Sequence, residues 1–343
     1  MEQQGRCVNV RAWHAVQLGE SQMDETRALF AQVFGHPMSE ALWRWKYDGG
    51  RGRATGTRSE DGALLAHYGG TARTLLCEGQ PLQAVQLGDV MVKIQARGIL
   101  SRQGPFATAT QAFLQDHIGS PTGFALGFGF PSARHTRLGE KLGLYTPLGD
   151  VLELRWSTPS CPAPFWKRPW VSAPVDWSAA HTDARLDTLW HALRQTAQGF
   201  VLPQRDARWW RHRFANHPDG PYRCWWVRGR YSRRILGAVV LRPGRDAAAD
   251  WELLDWLGAV QDTPTLLEAA RELAAQGGAS ALTAWLSQPL VRHLQALPPP
   301  PDGVLPTEQT ACPYCVTQRM APEVPDALRN QPWWLTGGDT DFR

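Results

Sequence analysis

The sequence predicts an α/β protein made of two tandem copies of one structural plan, and three observations predict it. The first is the stretch from Gly88 to Tyr145, where short apolar runs suited to buried strands alternate with apolar residues at helical spacing. The second is an internal repeat: one order of helix end, turn, hairpin, apolar strand, helix, strand and helix occurs before Ser157 and again after Trp177. The third is composition. With 43% hydrophobic and 20% charged residues, and no apolar stretch long enough to span a bilayer, the 343-residue chain reads as globular and long enough for two domains.

In the first copy, Leu42 to Tyr47 reads as a helix end, followed by a Gly/Arg turn and a hairpin strand over Gly62 to Tyr68. Val90-Met91-Val92 is an apolar run that suits a buried strand. A basic, glycine-punctuated turn follows, Arg97-Gly98 and then Ser101-Arg102-Gln103-Gly104. Pro105 fits the first position of a helix, where its missing N–H costs nothing, and Phe106, Ala109, Phe113 and Leu114 continue at helical spacing. Phe124 to Phe130 reads as a second strand, and Arg134 to Leu142 as a helix stopped by Gly143. A glycine turn that feeds a helix N-terminus presents free backbone N–H groups and the positive end of the helix dipole, a seat for a pyrophosphate.

The second copy repeats the order. Trp209 to Phe214 is the helix end, His217 to Gly220 the turn, and Tyr222 to Val227 with Ile235 to Val240 the hairpin. Leu253 to Leu257, Thr265 to Gln276, Ala281 to Leu286 and Leu290 to Leu297 echo the strand, helix, strand and helix of the first copy. The boundaries are 1–156 for the first domain, a Pro- and Trp-rich linker over 157–177, and 178–343 for the second with its tail. Pro298 to Pro301 makes a second stiff break, Gln309 to Met320 reads as a last strand, and Trp333-Trp334-Leu335 as a docking anchor. Between Asp255 and Thr265 there is no glycine-rich turn, and Asp262 puts an acid where a phosphate would sit. The second copy therefore reads as having lost a phosphate site and as closing one side of a cleft.

The first copy resembles the core of the GNAT superfamily of acyl-CoA-dependent N-acyltransferases. The resemblance rests on Asp89-Val90-Met91-Val92, on Ser101 to Phe106 at the position of the family's Arg/Gln-x-x-Gly-x-Gly/Ala loop, and on Glu140-Lys141-Leu142-Gly143-Leu144 as its "E-K-x-G-F" ending. Phe34-Gly35 and Trp43 to Tyr47 are similar to one bacterial branch. Three positions depart: Ser101 stands for the loop's Arg or Gln, Phe106 for its last Gly or Ala, and Gly139 for a tyrosine that often serves as general acid.

What the resemblance implies is a pair of tandem GNAT-like domains, each a mixed β-sheet flanked by helices, with N-acyltransferase activity. Acetyl-CoA or another acyl-CoA is the expected co-substrate, and a small-molecule or peptide amine in an interdomain cleft the expected acceptor. Backbone N–H groups near Met91, Val92 and Lys93 would polarise the thioester carbonyl, and Arg97, Gly98, Arg102, Gln103 and Gly104 would hold the pyrophosphate. Asp89, at the opening of the central strand, is the first candidate base, with His135 and His67 as alternatives, and Tyr145 is a candidate substitute acid. A Fem-like transferase with an aminoacyl or acyl-carrier donor, and a non-catalytic binding protein on the same fold, remain open alternatives.

Other classes are disfavoured. A net charge of +4 is too small to argue for nucleic acid. Six scattered cysteines and an N-terminus without the apolar core of a signal peptide lead to the expectation of a reduced, cytoplasmic protein. Cys312-Pro313-Tyr314-Cys315 spells a glutaredoxin-like motif, but strand-like residues follow it and no second ligand pair has zinc spacing. The 17 tryptophans are expected in cores or between the halves.

Overall fold

A computed structural model describes the chain except residues 1–12, 98–102, 120–122, 160–163, 165, 167, 221, 245–248 and 299–303. The first half begins with β1 (Trp13–Leu18), α1 (Met23–Phe34) and α2 (Glu40–Tyr47), then a meander of β2 (Gly52–Ser59), β3 (Leu64–Cys77) and β4 (Gln80–Val92). It closes with α3 (Pro105–His117), β5 (Leu126–Gly129), α4 (Ala133–Leu142) and β6 (Tyr145–Ser157). Local chemistry sets these ends. Ser39 and Ser132 cap α2 and α4 by accepting from Leu42 N and His135 N, Pro105 opens α3, and Gly35 and Gly143 stop α1 and α4 in the left-handed conformation.

The second half runs β7 (Trp170–Pro174), α5 (Thr182–Thr196), the short β8 (Leu202–Pro203), α6 (Ala207–Trp210), β9 (Arg223–Gly229), β10 (Ile235–Arg242), β11 (Trp251–Gly258), α7 (Thr263–Gln276), β12 (Ala281–Ser287), α8 (Gln288–Gln295) and β13 (Thr307–Thr317). The stretch between the repeats is thus partly ordered structure, since β7 pairs with β9 at the sheet edge.

Among the described residues one mixed sheet runs through both halves, in the order β1-β2-β3-β4-β5-β13-β6-β12-β11-β10-β9-β7, with β8 on β3. The halves exchange strands rather than abut: β13, from the end of the chain, lies between β5 and β6 and pairs with both. On one face of the first half, α3 packs Ala109, Phe113 and Leu114 against Tyr68 and Val85. On the other, α1 and α2 pack Leu29, Phe30 and Trp43 against Leu64 and Met91. Trp170, Trp210, Trp256, Trp333 and Trp334 are each less than 2% exposed. Burying one indole removes about 150–250 Å² from water, worth about 4–6 kcal/mol at about 25 cal/mol per Å². At the seam Trp45 of α2 stacks on His212, with centroids 4.7 Å apart and planes 8° off parallel, and its Nε1 donates to His212 O at 2.8 Å.

Candidate active site

Strands β4 and β5 run parallel and pair from Ala84↔Leu126 to Gln86↔Phe128. Beyond Gln86, β4 continues to Val92 with β3 alone on its other side, so the two parallel strands part and leave a wedge. The β3–β4 ladder is interrupted between His67 and Gly69, and opposite that break Asp89 has φ +50°, a β-bulge that turns the strand. Lys93 N donates to Leu65 O at 2.8 Å, which takes that N–H toward β3. Alternation along a strand turns the Val92 N–H and carbonyl to the wedge side, and the carbonyl accepts from Arg97 Nε at 3.1 Å. Of the three residues expected to polarise a carbonyl, Val92 is the one whose N–H faces the opening.

The wedge lies beside the start of α3. Gly104 is the N-cap of this helix, Gln103 O accepts from Trp13 Nε1 at 2.8 Å, and Thr57 Oγ1 donates to Pro105 O at 2.9 Å. Gly98 and Arg102, expected in the same turn, lie outside the described residues. His135 sits exposed at the N-terminus of α4, its Nδ1 3.3 Å from Ser132 Oγ. Burial of part of its ring, with Arg134 and Arg97 nearby, pulls its pKa below the usual value.

The expected base and acid sit in less open surroundings than their sequence positions suggest. Asp89 Oδ1 accepts from Lys46 Nζ and Oδ2 from Tyr47 OH, both at 2.7 Å, with the Asp89 side chain 7% exposed. Burial opposes its charge, but Lys46, with His67 and Tyr47, outweighs burial and holds the carboxyl below the usual carboxylate range. Each oxygen is therefore already engaged, one by an ammonium and one by a phenol, in a nearly closed setting. Tyr145 lies in the core beneath α4, where Gly139 leaves room for its ring, and its hydroxyl donates to Tyr68 OH at 2.8 Å. Burial raises its pKa far above the ordinary phenol.

His67 backs the bulge. Its Nδ1 is 2.7 Å from the Asp89 carbonyl, which can only accept, so Nδ1 carries the proton. Burial lowers its pKa and keeps the ring neutral, and it forms part of the floor of a cavity of about 200 Å³ under α1 and α2.

Lys46 was not singled out in the sequence and is the hub of the site. It is 5% exposed in its side chain and pairs with Asp89 at 2.7 Å and with Asp341 at 2.8 Å. Burial opposes its charge, yet the two carboxylates outweigh it and hold the ammonium protonated. Asp341 reaches this point because the chain end crosses from the second half. A cavity of about 60 Å³ opens there, walled by Trp45 and Trp209, by Thr71 and Gln86, by Asp341, and by the cationic Lys46, Arg51, Arg73 and Arg213. The only hint of Lys46 in the sequence is a cation on an aromatic helix face; Asp341 sits in a polar tail without a pattern.

In the second half β11 and β12 pair from Trp251↔Leu282 to Leu253↔Ala284 and then part in the same way. Here the wedge is filled by the chain itself. Ser287 N donates to Leu335 O at 3.0 Å, Leu286 bridges Thr336, and Gly337 and Gly338 press on the β11 backbone at Leu254. Buried Arg205 holds Asp255 Oδ2 at 2.9 Å and also pairs with Asp339, which binds Arg73 Nη2 of the first half at 3.0 Å. Burial and the neighbouring Asp339 push Asp255 up to about 6 against the pull of Arg205.

Cys312 and Cys315 lie within β13, not at a helix N-terminus, and burial raises their thiols to about 11 and about 12. Among the described residues no group of three or more His, Cys, Asp or Glu side chains is arranged to hold a metal ion, and no helix is long and apolar enough to cross a membrane.

Residues 15–116 match the family model of the acetyltransferase (GNAT) domain. No curated protein matches the chain. Among solved structures, a probable N-acyltransferase from Enterococcus faecalis V583 is similar at 16% identity and a TM-score of 0.65, over 89% of this chain and 72% of that one. A GCN5-related N-acetyltransferase from Kribbella flavida is similar at 17% identity and 0.62, over 89% and 70%. The N-myristoyltransferase of Saccharomyces cerevisiae, solved with bound myristoyl-CoA, is similar at 10% identity and 0.51, over 94% and 88%.

Proposed function

Starting from a chain that belongs to the GNAT N-acyltransferases, we propose that it moves an acyl group from acyl-CoA, bound in the first half, to an amine that enters between the halves. What supports this reading most is the contrast of the two wedges: the β4–β5 wedge has no chain segment paired into it among the described residues, while its counterpart is filled by residues 335–338. The thioester carbonyl would lie in the open wedge, where the Val92 N–H can polarise it. The pyrophosphate would lie at the head of α3, with Arg97, Gln103 and Gly104 around it. Gly98 and Arg102 join that proposal from their place in the turn. A small-molecule or peptide amine is the acceptor, and acetyl-CoA the first donor to try.

Calorimetry with acetyl-CoA tests the donor half of the reading. One molecule should bind per chain, and Arg97→Ala should weaken binding about ten-fold, less so at high salt. A wild-type protein that binds neither acetyl-CoA nor longer acyl-CoAs at millimolar ligand overturns it.

A further inference from the structure

We infer that Asp341 is the group that receives the acceptor's ammonium and takes its proton, and that the acceptor is a primary amine with a slender aminomethyl end. This rests on the transferase reading above. Two carboxylates flank Lys46, and they are not equivalent. Asp89 has both oxygens bonded and is 7% exposed, whereas Asp341 is 14% exposed and pairs with Lys46 through Oδ2 alone. The Oδ1 of Asp341 has no hydrogen-bond partner among the described residues, and the side chain borders the seam cavity.

The backbone is shaped around this carboxylate. Asp341 lies against Gly88, on the stretch of β4 that has already parted from β5, and a Cβ at Gly88 would fall on its Oδ2. Any side chain at position 88 would displace the carboxylate from the strand that borders the wedge. The cations around the cavity are already held, Lys46 by Asp89 and Asp341, Arg73 by Asp339, Arg213 by the Gly338 and Thr340 carbonyls and Arg51 by those of Arg44 and Trp45, so Asp341 Oδ1 is the acceptor left over. An alkylammonium would donate to that Oδ1. The cavity's size of about 60 Å³ admits a few heavy atoms beside Asp341. Arg51, at the exposed rim, would face the part of the acceptor that stays outside.

The chemistry balances without a further reactant. The ammonium gives one proton to Asp341, and the free amine attacks the thioester carbon. The C–N bond forms and the C–S bond breaks, the amine's second proton leaves, and CoA departs as thiolate and is protonated to the thiol.

The test follows release of CoA thiol from acetyl-CoA with two acceptors, ethylamine and hydroxylamine. Ethylamine is cationic at neutral pH and must be deprotonated before it attacks, whereas hydroxylamine is largely neutral and needs no base. Asp341→Asn should lower kcat/KM for ethylamine by about 10²–10⁴-fold and leave hydroxylamine near the wild-type rate. Gly88→Ala keeps every carboxylate and moves Asp341 aside, so the same selective loss is expected and folding of the first variant is not decisive. Equal losses with both acceptors, or no loss, overturn the assignment, as does a wild type that binds acetyl-CoA and acylates neither. A wild type that binds no acetyl-CoA overturns the transferase reading instead.

Discussion

The two halves open their sheets in the same place and treat the opening differently. In each, parallel strands pair over three residues and then separate, β4 from β5 and β11 from β12. A parted pair exposes backbone N–H and carbonyl groups that must find partners. In the second half the chain end supplies them, with Leu335 O accepting from Ser287 N. In the first half the Val92 carbonyl is met by Arg97, and no segment pairs into the neighbouring wedge among the described residues. Each half also has an acid just beyond the point where its strands part and neutralises it by a different route: Asp89 takes a lysine from α2, Asp255 an arginine from the segment before α6. The same parting of parallel strands therefore occurs with and without a segment of the chain set into it.

Three measurements bear on this contrast. Asp339→Asn should have the largest effect, because it leaves Arg73 without its carboxylate and Arg205 with Asp255 alone, all in buried surroundings. A loss of about 3–5 kcal/mol in urea unfolding is expected; a loss below about 1 kcal/mol would mean that charge does not hold the second wedge shut. Asp89→Asn should cost less, about 1–3 kcal/mol, since Lys46 keeps Asp341. If it costs as much as Asp339→Asn, the two networks are equivalent and the distinction fails.

The smallest effect concerns the seam. Burial first, and then Arg51 and Arg213, lower His212 to about 4, while burial, Arg213 and Lys46 lower His217 to about 3. Both are neutral in the folded protein, while an unfolded histidine titrates near about 6.5. As pH falls through that value the unfolded chain takes up protons first, so stability is complete above it and declines toward pH 4. Both rings are partly exposed, so the loss after screening is about 1 kcal/mol between them. The double variant His212→Gln/His217→Gln should show a flatter unfolding midpoint from pH 7 to 4.5; an unchanged slope would place the acid sensitivity elsewhere.

Much of this architecture was legible because it is written locally. Pro105 opens α3, Gly143 stops α4, and Val90 to Val92 lie in β4 where an apolar run placed them. Gln309 to Met320 reads as a strand, but nothing local says that it inserts between β5 and β6, because that choice depends on pairing with residues more than 150 positions away. Trp333 to Leu335 reads as an anchor, while its destination, the second wedge, is visible only once β11 and β12 are known to part. The site divides along the same line. Asp89 was found from its place at the strand, but the partners that occupy its oxygens, Lys46 and Tyr47, come from a helix whose polar residue looks solvent-facing. Asp341 had no local signal beyond its charge, since its meaning comes from the missing side chain of Gly88.

The path of the chain end sets an order on biosynthesis. While a ribosome makes this protein, the first half emerges with β4, β5 and β6 but without β13 to join them, and with Lys46 facing Asp89 alone. Arg73 must wait for Asp339, a partner 266 residues further on. The gap in the sheet and the incomplete charge cluster can close only after β13, Asp339 and Asp341 have been made. A nascent chain arrested anywhere before β13 thus carries residues 15–116, which match the GNAT domain model, without the strand and the carboxylates that complete their sheet and charge cluster.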